Sequence, residues 1–323
     1  MLHEASLYKQ QGECLQCLAC LRKCLIGNQQ SGFCQTRQNI NGKLYALYYG
    51  CFSGIRVEPL KSKPFLHFTD PRTSQLYDEN ELTLSIGGYG CNFQCQGCQN
   101  VEVSTIPQNV SGLAIMRTLQ EIIDEAKDKK IKIIAFTWNE PAIMPEMVLE
   151  IAKLAQANNL HTVYVSNGSL SREHLDLILP FIDAFRYDIK AGPTLGDAFY
   201  HNYCNFDIGQ TTDKILANIK YTKNQGKHVE LLTVLIPGYA PSCARSVLTT
   251  ARWIKENLGA DTPWHLAKFF PAHKLNNPSL KTPDAMIEHY VQLAQSMGLK
   301  NVHGVLDKGC DCIKSENQES CCS

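Results

Sequence analysis

Leu82-Thr-Leu-Ser-Ile86-Gly-Gly-Tyr-Gly90-Cys91-Asn-Phe-Gln-Cys95-Gln-Gly-Cys98 is the stretch on which the reading of this chain turns. Leu82–Ile86 is a short apolar run of the kind that forms a buried strand. Gly87-Gly88-Tyr89-Gly90 reads as a turn, and three thiols follow within eight residues. If Leu82–Ile86 opens a parallel sheet, the thiols lie at its C-terminal end, where α/β folds place their sites.

Downstream, strand-like and helix-like runs alternate. Ile133–Phe136, Thr162–Ser166, Ala184–Ile189, Val229–Ile236 and Trp264–Phe269 are the further strand candidates, several rich in Ile, Val, Leu or aromatics. Between them, Ile115, Met116, Leu119, Ile122, Ile123 and Ala126 share one helical face, as do Met147, Val148, Ile151 and Leu154. For the last major helix the sequence offers Thr282 as N-cap, Pro283 in the first turn and Gly298 at the left-handed position past the end. Six βα units predict an α/β fold with a parallel sheet, short of the eight units of a closed barrel. The expected architecture is an open (β/α)6 partial TIM barrel over residues 76–306. A small cysteine-rich region precedes it at 1–75, and a polar cysteine-bearing tail follows at 307–323.

Bulk properties narrow the class. The 323 residues are 44% hydrophobic, and 31 Lys and Arg balance 31 Asp and Glu, so no global field favours nucleic acid or a membrane surface. The first residues lack the apolar core of a secretory signal. The longest uncharged stretch, Leu82 to Val101, is too rich in Gly, Gln, Asn and Cys to span a bilayer. We therefore read the chain as cytoplasmic. Fifteen cysteines in such a chain, most of them clustered, point to metal rather than disulfides.

Three thiolates on one loop can hold three irons of a [4Fe–4S] cube and leave the fourth open, as catalytic metal sites do. A zinc site would ordinarily recruit a fourth Cys or His nearby. Glu140, in Thr137-Trp138-Asn139-Glu140-Pro141 at the second strand tip, could accept hydrogen bonds from an ammonium group or simply face a helix N-terminus. Asn167-Gly168 ends the third strand. Asp188 and Lys190 share one face of the fourth, where they could pair with each other. His265 lies on the sixth strand, either as a satisfied core histidine or facing a cavity. No phosphate loop, His-Glu-x2-His or dinucleotide fingerprint competes.

The C-x3-C-x2-C spacing of Cys91, Cys95 and Cys98, at the end of a first strand leading into six βα units, resembles the radical S-adenosylmethionine (SAM) superfamily. The resemblance implies that the three thiolates hold a [4Fe–4S] cluster whose open iron is chelated by SAM. It implies reductive cleavage of SAM to a 5′-deoxyadenosyl radical. By the same resemblance Glu140 holds the SAM amino group, Asn167 lies near ribose or carboxylate, Asp188 and Lys190 touch SAM, and His265 faces the cofactor cavity. The chain departs from the superfamily at Gly97, where an aromatic residue is common: backbone contact with adenine can persist, but stacking is lost.

Near the N-terminus, Cys14, Cys17, Cys20 and Cys24 fit a ferredoxin spacing without its usual Pro. Cys17, Cys20, Cys24 and Cys34 form an alternative four-thiolate set, for zinc or a second iron–sulfur cluster. The second set, with Arg37, Gly42-Lys-Leu, Glu58-Pro-Leu-Lys-Ser-Lys-Pro64, His67-Phe68, Trp138-Asn139-Glu140-Pro141 and Pro263-Trp264-His265, is similar to the radical SAM member of the AmmeMemoRadiSam system. That branch is itself similar to pyruvate formate-lyase activating enzyme. No motif specifies what that branch acts on; the expected partners are a protein or peptide substrate and an electron donor such as flavodoxin or ferredoxin. The alternatives are a glycyl radical enzyme activase and, from a different class, a non-catalytic iron–sulfur electron carrier or scaffold.

Overall fold

A computed structural model describes residues 2–306. The tail at 307–323, with Cys310, Cys312, Cys321 and Cys322, lies outside the described residues.

One sheet of eight strands carries the fold: β1 (Gly54–Pro59), β2 (Leu82–Gly87), β3 (Ile133–Phe136), β4 (His161–Ser166), β5 (Ala184–Asp188), β6 (His228–Leu235), β7 (Trp264–Lys268) and β8 (Val302–Val305). They lie side by side in chain order. From β2 to β8 every pair is parallel; β1 runs antiparallel on β2. The six expected strands are therefore present within a residue or two at their ends, and the sheet has two more. β8 adds a parallel edge, and β1 covers the opposite edge from within the cysteine-rich region.

Helices α1 (Leu119–Asp128), α2 (Pro145–Ala157), α3 (Arg172–Ile178), α4 (Gly196–Cys204), α5 (Thr211–Asn224), α6 (Ala244–Asn257) and α7 (Asp284–Ser296) occupy the connections. Alternation divides each strand between two cores. Ile134, Phe136, Tyr164 and Phe185 pack with Ile122, Val148 and Ile151 of the helices. Ile133, Ala135, Val163, Val165 and Ala184 face the other way and are covered by Leu60, Phe65, Phe68 and Tyr77. The inner face is thus plugged toward the strands' N-terminal ends, and the C-terminal ends remain for the site.

Two helix expectations are corrected. Ile115 and Met116 belong to a short strand paired with Cys51–Phe52, not to α1. That helix starts after Thr118, whose hydroxyl accepts from the Glu121 N–H while the Glu121 carboxylate accepts from the Thr118 N–H; this reciprocal cap fixes the boundary. Thr282 is not the N-cap of α7; Pro283 occupies that position. The Thr282 hydroxyl instead accepts from the Phe269 N–H and donates to the Leu235 carbonyl, tying the ends of β6 and β7. Gly298 does take the left-handed position beyond α7, with φ 90°. No helix among the described residues is long and apolar enough to cross a membrane.

The N-terminal region forms two three-stranded antiparallel sheets. It is pinned to the large sheet by the Leu21 N–H donating to the Ser169 carbonyl. A buried ion pair adds to this: the Arg37 guanidinium donates to both Glu146 carboxylate oxygens of α2, at 2.8 and 3.0 Å.

Candidate cluster and cofactor site

The loop after β2 is held from several sides. Asn139, at the tip of β3, accepts from the Gly88 N–H (3.0 Å) and donates to the Gly90 carbonyl (3.2 Å). Its neighbour Trp138 has a left-handed backbone, φ 70°, unusual for a bulky residue. The indole lies where Gly54 has no side chain; a Cβ there would fall 2.6 Å from the ring. The Trp138 carbonyl in turn accepts from Asn100 beyond the thiols. The loop also rests on α4, through the Gln94 N–H to the Cys204 carbonyl and the Gln96 N–H to the Tyr203 carbonyl.

Cys91, Cys95 and Cys98 are half-buried on this loop. Each sulfur has a hydrogen-bonding group beside it. The Phe93 N–H donates to Cys91 Sγ at 3.3 Å. Ser104 Oγ is 3.2 Å from Cys98 Sγ. Cys204 lies beside Cys95, and the interaction between the two thiols holds the Cys95 thiol below its ordinary pKa despite burial. For Cys91 burial prevails and pushes the thiol up, helped by the nearby Glu140 carboxylate. Gly97 packs against aromatic rings: a Cβ there would fall 2.7 Å from both the Phe269 ring and the Tyr203 hydroxyl. Its lack of a side chain is thus a packing requirement.

Two carboxylates face the thiols. Glu140 is buried at the tip of β3 and accepts from the Ala142 N–H (3.0 Å), Ser166 Oγ (2.8 Å) and the Asn167 N–H (2.7 Å). Burial nevertheless raises its pKa to about 7. Asp188 lies between Lys190 Nζ, at 2.6 Å, and the Arg186 guanidinium. Burial pushes its carboxyl up, but the two cations outweigh burial and hold it below the usual range. Lys190 is held protonated by Asp188 and the Cys95 thiol against the cost of burial. Asn167 donates to Asn92 Oδ1 at 2.9 Å, joining the tip of β4 to the residue after Cys91.

The strand tips therefore bring Glu140, Asn167, Asp188 and Lys190 to the end of the sheet that carries the triplet. His265 is level with Asp188 across Leu232. It is fully buried, its Nε2 is 2.6 Å from Glu230 Oε2, and its Nδ1 has no partner among the described residues. Glu230 also accepts from the Leu66 and His67 N–H groups, so His265 is tied to the segment plugging the inner face. Asn92, Asn139 and Cys204 were not singled out by the sequence reading. Asn139 lay inside a quoted motif; for Cys204 no local signal existed, since α4 brings it to the loop.

The donor set fits an iron–sulfur cube with one open iron. The three thiols are half-buried with hydrogen-bonding groups beside their sulfurs, and no fourth cysteine of the loop closes the set. Among the described residues no three His, Cys, Asp or Glu side chains meet as a single metal ion requires. A cube places each thiolate on a separate iron and needs no such convergence.

These features define an open-sheet α/β protein with a cluster of three thiols at the strands' C-terminal ends. The chain belongs to the radical SAM superfamily, whose family model matches residues 85–250. That family implies a [4Fe–4S] cluster and SAM and catalyses radical reactions. An uncharacterized protein of Methanocaldococcus jannaschii is 32% identical over 303 residues, covering 94% of this chain and 84% of its own. A putative glycyl-radical enzyme activating enzyme of the same organism is 26% identical over 150 residues, 46% of this chain and 59% of that protein. SuiB of Streptococcus suis, in its crystal structure bound to S-adenosylmethionine, matches with a TM-score of 0.51 at 11% identity. The match covers 69% of this chain and 50% of SuiB; the likeness is one of fold.

Proposed function

We propose that this chain cleaves SAM reductively and uses the resulting radical to modify a protein or peptide. The single observation that carries this reading is the pairing of an open thiol triplet with the buried Glu140 and half-buried Asp188 carboxylates at the same strand ends. Cys91, Cys95 and Cys98 would hold the [4Fe–4S] cluster. Bound together, cluster and SAM supply a 5′-deoxyadenosyl radical on reduction. The protein's own part is to bind and orient. Glu140 receives the ammonium group, a charge-assisted contact. Asp188, kept ionised by Arg186 and Lys190, offers a second anionic acceptor. Lys190 offers a cation to a carboxylate, and Asn167 a donor or acceptor to ribose. Phe269 and Tyr203, packed on Gly97, exclude water from that side. A carrier would need four thiolates and no such acceptors, which disfavours the non-catalytic reading.

Activation of a glycyl radical enzyme is the second reading, and the similarity to a putative activating enzyme favours it. The N-terminal motifs and Trp138-Asn139-Glu140-Pro141 favour the AmmeMemoRadiSam branch instead. In either case the electron would come from a small donor protein such as flavodoxin or ferredoxin. Anaerobic reconstitution with iron, sulfide, SAM and a reductant, followed by assay for 5′-deoxyadenosine, tests the reading. Formation of the nucleoside supports it, and a reconstituted protein that leaves SAM intact overturns it.

A further inference from the structure

Away from the triplet, Cys17, Cys20, Cys24 and Cys34 line one small cavity together with Arg22, Arg37 and Asn92. Two turns present the thiols. The first runs from Cys20 to Lys23, closed by the Lys23 N–H on the Cys20 carbonyl, with Lys23 at φ 46°. The second runs from Gly32 to Gln35, closed in the same way, with Gln35 at φ 58°. The Cys17 N–H donates to the Cys24 carbonyl and sets the two ends of the first thiol segment side by side. Cys14 is on the same strand as Cys17 but does not line the cavity.

The two arginines of the cavity are incompletely answered by carboxylates. Arg22 donates to the Asn92 and Asn205 carbonyls. Its guanidinium stacks over the Phe33 ring at 3.5 Å. The described residues give it no carboxylate partner. Arg37 is almost fully buried; Glu146 takes two of its nitrogens, and Nε is left without an acceptor. An unpaired buried donor is costly unless something in the cavity accepts from it. A cluster on four thiolates carries net negative charge and presents sulfur acceptors, which answers both residues.

We propose that Cys17, Cys20, Cys24 and Cys34 bind a second iron–sulfur cube, independent of the triplet. All four thiols line one cavity, and the sulfide acceptors of a cube, which a zinc ion lacks, answer the donors of Arg22 and Arg37. The second centre adjoins the first. Asn92, which follows Cys91, reaches the Cys20 thiol and also bonds Asn167. Gly90 has φ 90° and no side chain where the Cys34 carbonyl approaches; a Cβ would fall 3.0 Å from that oxygen.

The inference does not rest on the function proposed above, and metal content tests it. The full chain, reconstituted anaerobically with iron and sulfide in the presence of trace zinc, should hold about eight irons, two cubes' worth. Cys34→Ser should lose about half of that iron, and Cys14→Ala should lose none. The triple variant Cys91→Ala, Cys95→Ala, Cys98→Ala should keep about four irons. This variant decides the matter if Cys34→Ser fails to fold, and it separates failure here from failure of the triplet assignment. A triple variant without iron, or one zinc per chain that disappears in Cys34→Ser, overturns the proposal.

Discussion

The triplet loop and the N-terminal quartet both gather cysteines, yet the charges beside them are arranged differently: Glu140 has no cation on it and Asp188 has two, while Arg22 has no carboxylate among the described residues and Arg37 has one. Around Cys91, Cys95 and Cys98 stand Glu140 and Asp188. Around Cys17, Cys20, Cys24 and Cys34 stand Arg22 and Arg37. A carboxylate without a cation beside thiolates, as at Glu140, is costly to ionise until a cationic ligand pairs with it. Guanidiniums beside thiolates neutralise a centre that needs nothing further. On the proposals above, the neighbours, more than the cysteines, distinguish a centre that receives a ligand from one that stays closed.

The comparison breaks most sharply at the triplet. Cys95→Ala should abolish 5′-deoxyadenosine formation, because the cube loses one of only three protein ligands; nucleoside formation at the parent rate would end the assignment. Next comes the ion pair linking the quartet to α2. Burial pushes the Glu146 carboxyl up, but Arg37 prevails and holds it down to about 2, from an ordinary 4.5. Glu146→Gln leaves Arg37 buried and unpaired and should cost about 3–5 kcal/mol in denaturant unfolding. Because the folded pKa is depressed, the pair's contribution is present above pH 4.5 and fades as pH falls toward 2.

Glu140→Ala should weaken SAM binding by about 1.5–3 kcal/mol while leaving the iron content intact, measured by equilibrium dialysis. Its raised pKa adds a pH signature. A cationic ligand needs the ionised carboxylate, so the parent's affinity should fall as pH drops below about 7; Glu140→Gln should lose that dependence. Without ligand the same shift works the other way, favouring the folded state at low pH and losing that advantage as pH rises through 7. The smallest effect is expected at Cys204. Replacing it with Ala removes that thiol from beside the Cys95 sulfur, and a less hydrogen-bonded cluster should titrate at a more negative potential in a redox titration.

Much of this molecule was legible in its residues, for physical reasons. Ile133–Phe136 and its counterparts are buried on both faces, so their apolar runs are unbroken. A side chain at the end of such a run must lie at the sheet's C-terminal edge, which located Glu140, Asn167 and Asp188 without structural knowledge; their roles remain a proposal. β1 was missed because Gly54-Ile-Arg-Val-Glu-Pro59 mixes charges with a terminal Pro, as an edge strand can. β8 is only Val302-His-Gly-Val305. Ile115 and Met116 kept helical spacing with Leu119, but the Thr118–Glu121 cap outranks periodicity. Thr282 resembled a cap, and tertiary hydrogen bonds claimed its hydroxyl instead. Cys204 and Arg22 were invisible because their partners are distant in sequence.

The unbroken order of the sheet bears on how the chain is made. Each strand from β2 onward needs only its predecessor as a template, so the sheet can lengthen from one edge as the polypeptide leaves the ribosome. Both cysteine groups emerge before any of β3 to β8. The thiols are therefore exposed to cellular oxidants until the strands bearing Glu140, Asn167 and Asp188 have docked. In this chain the vulnerable interval during synthesis belongs to the two cysteine segments, and early acquisition of iron and sulfide, if they hold the proposed clusters, would shorten it.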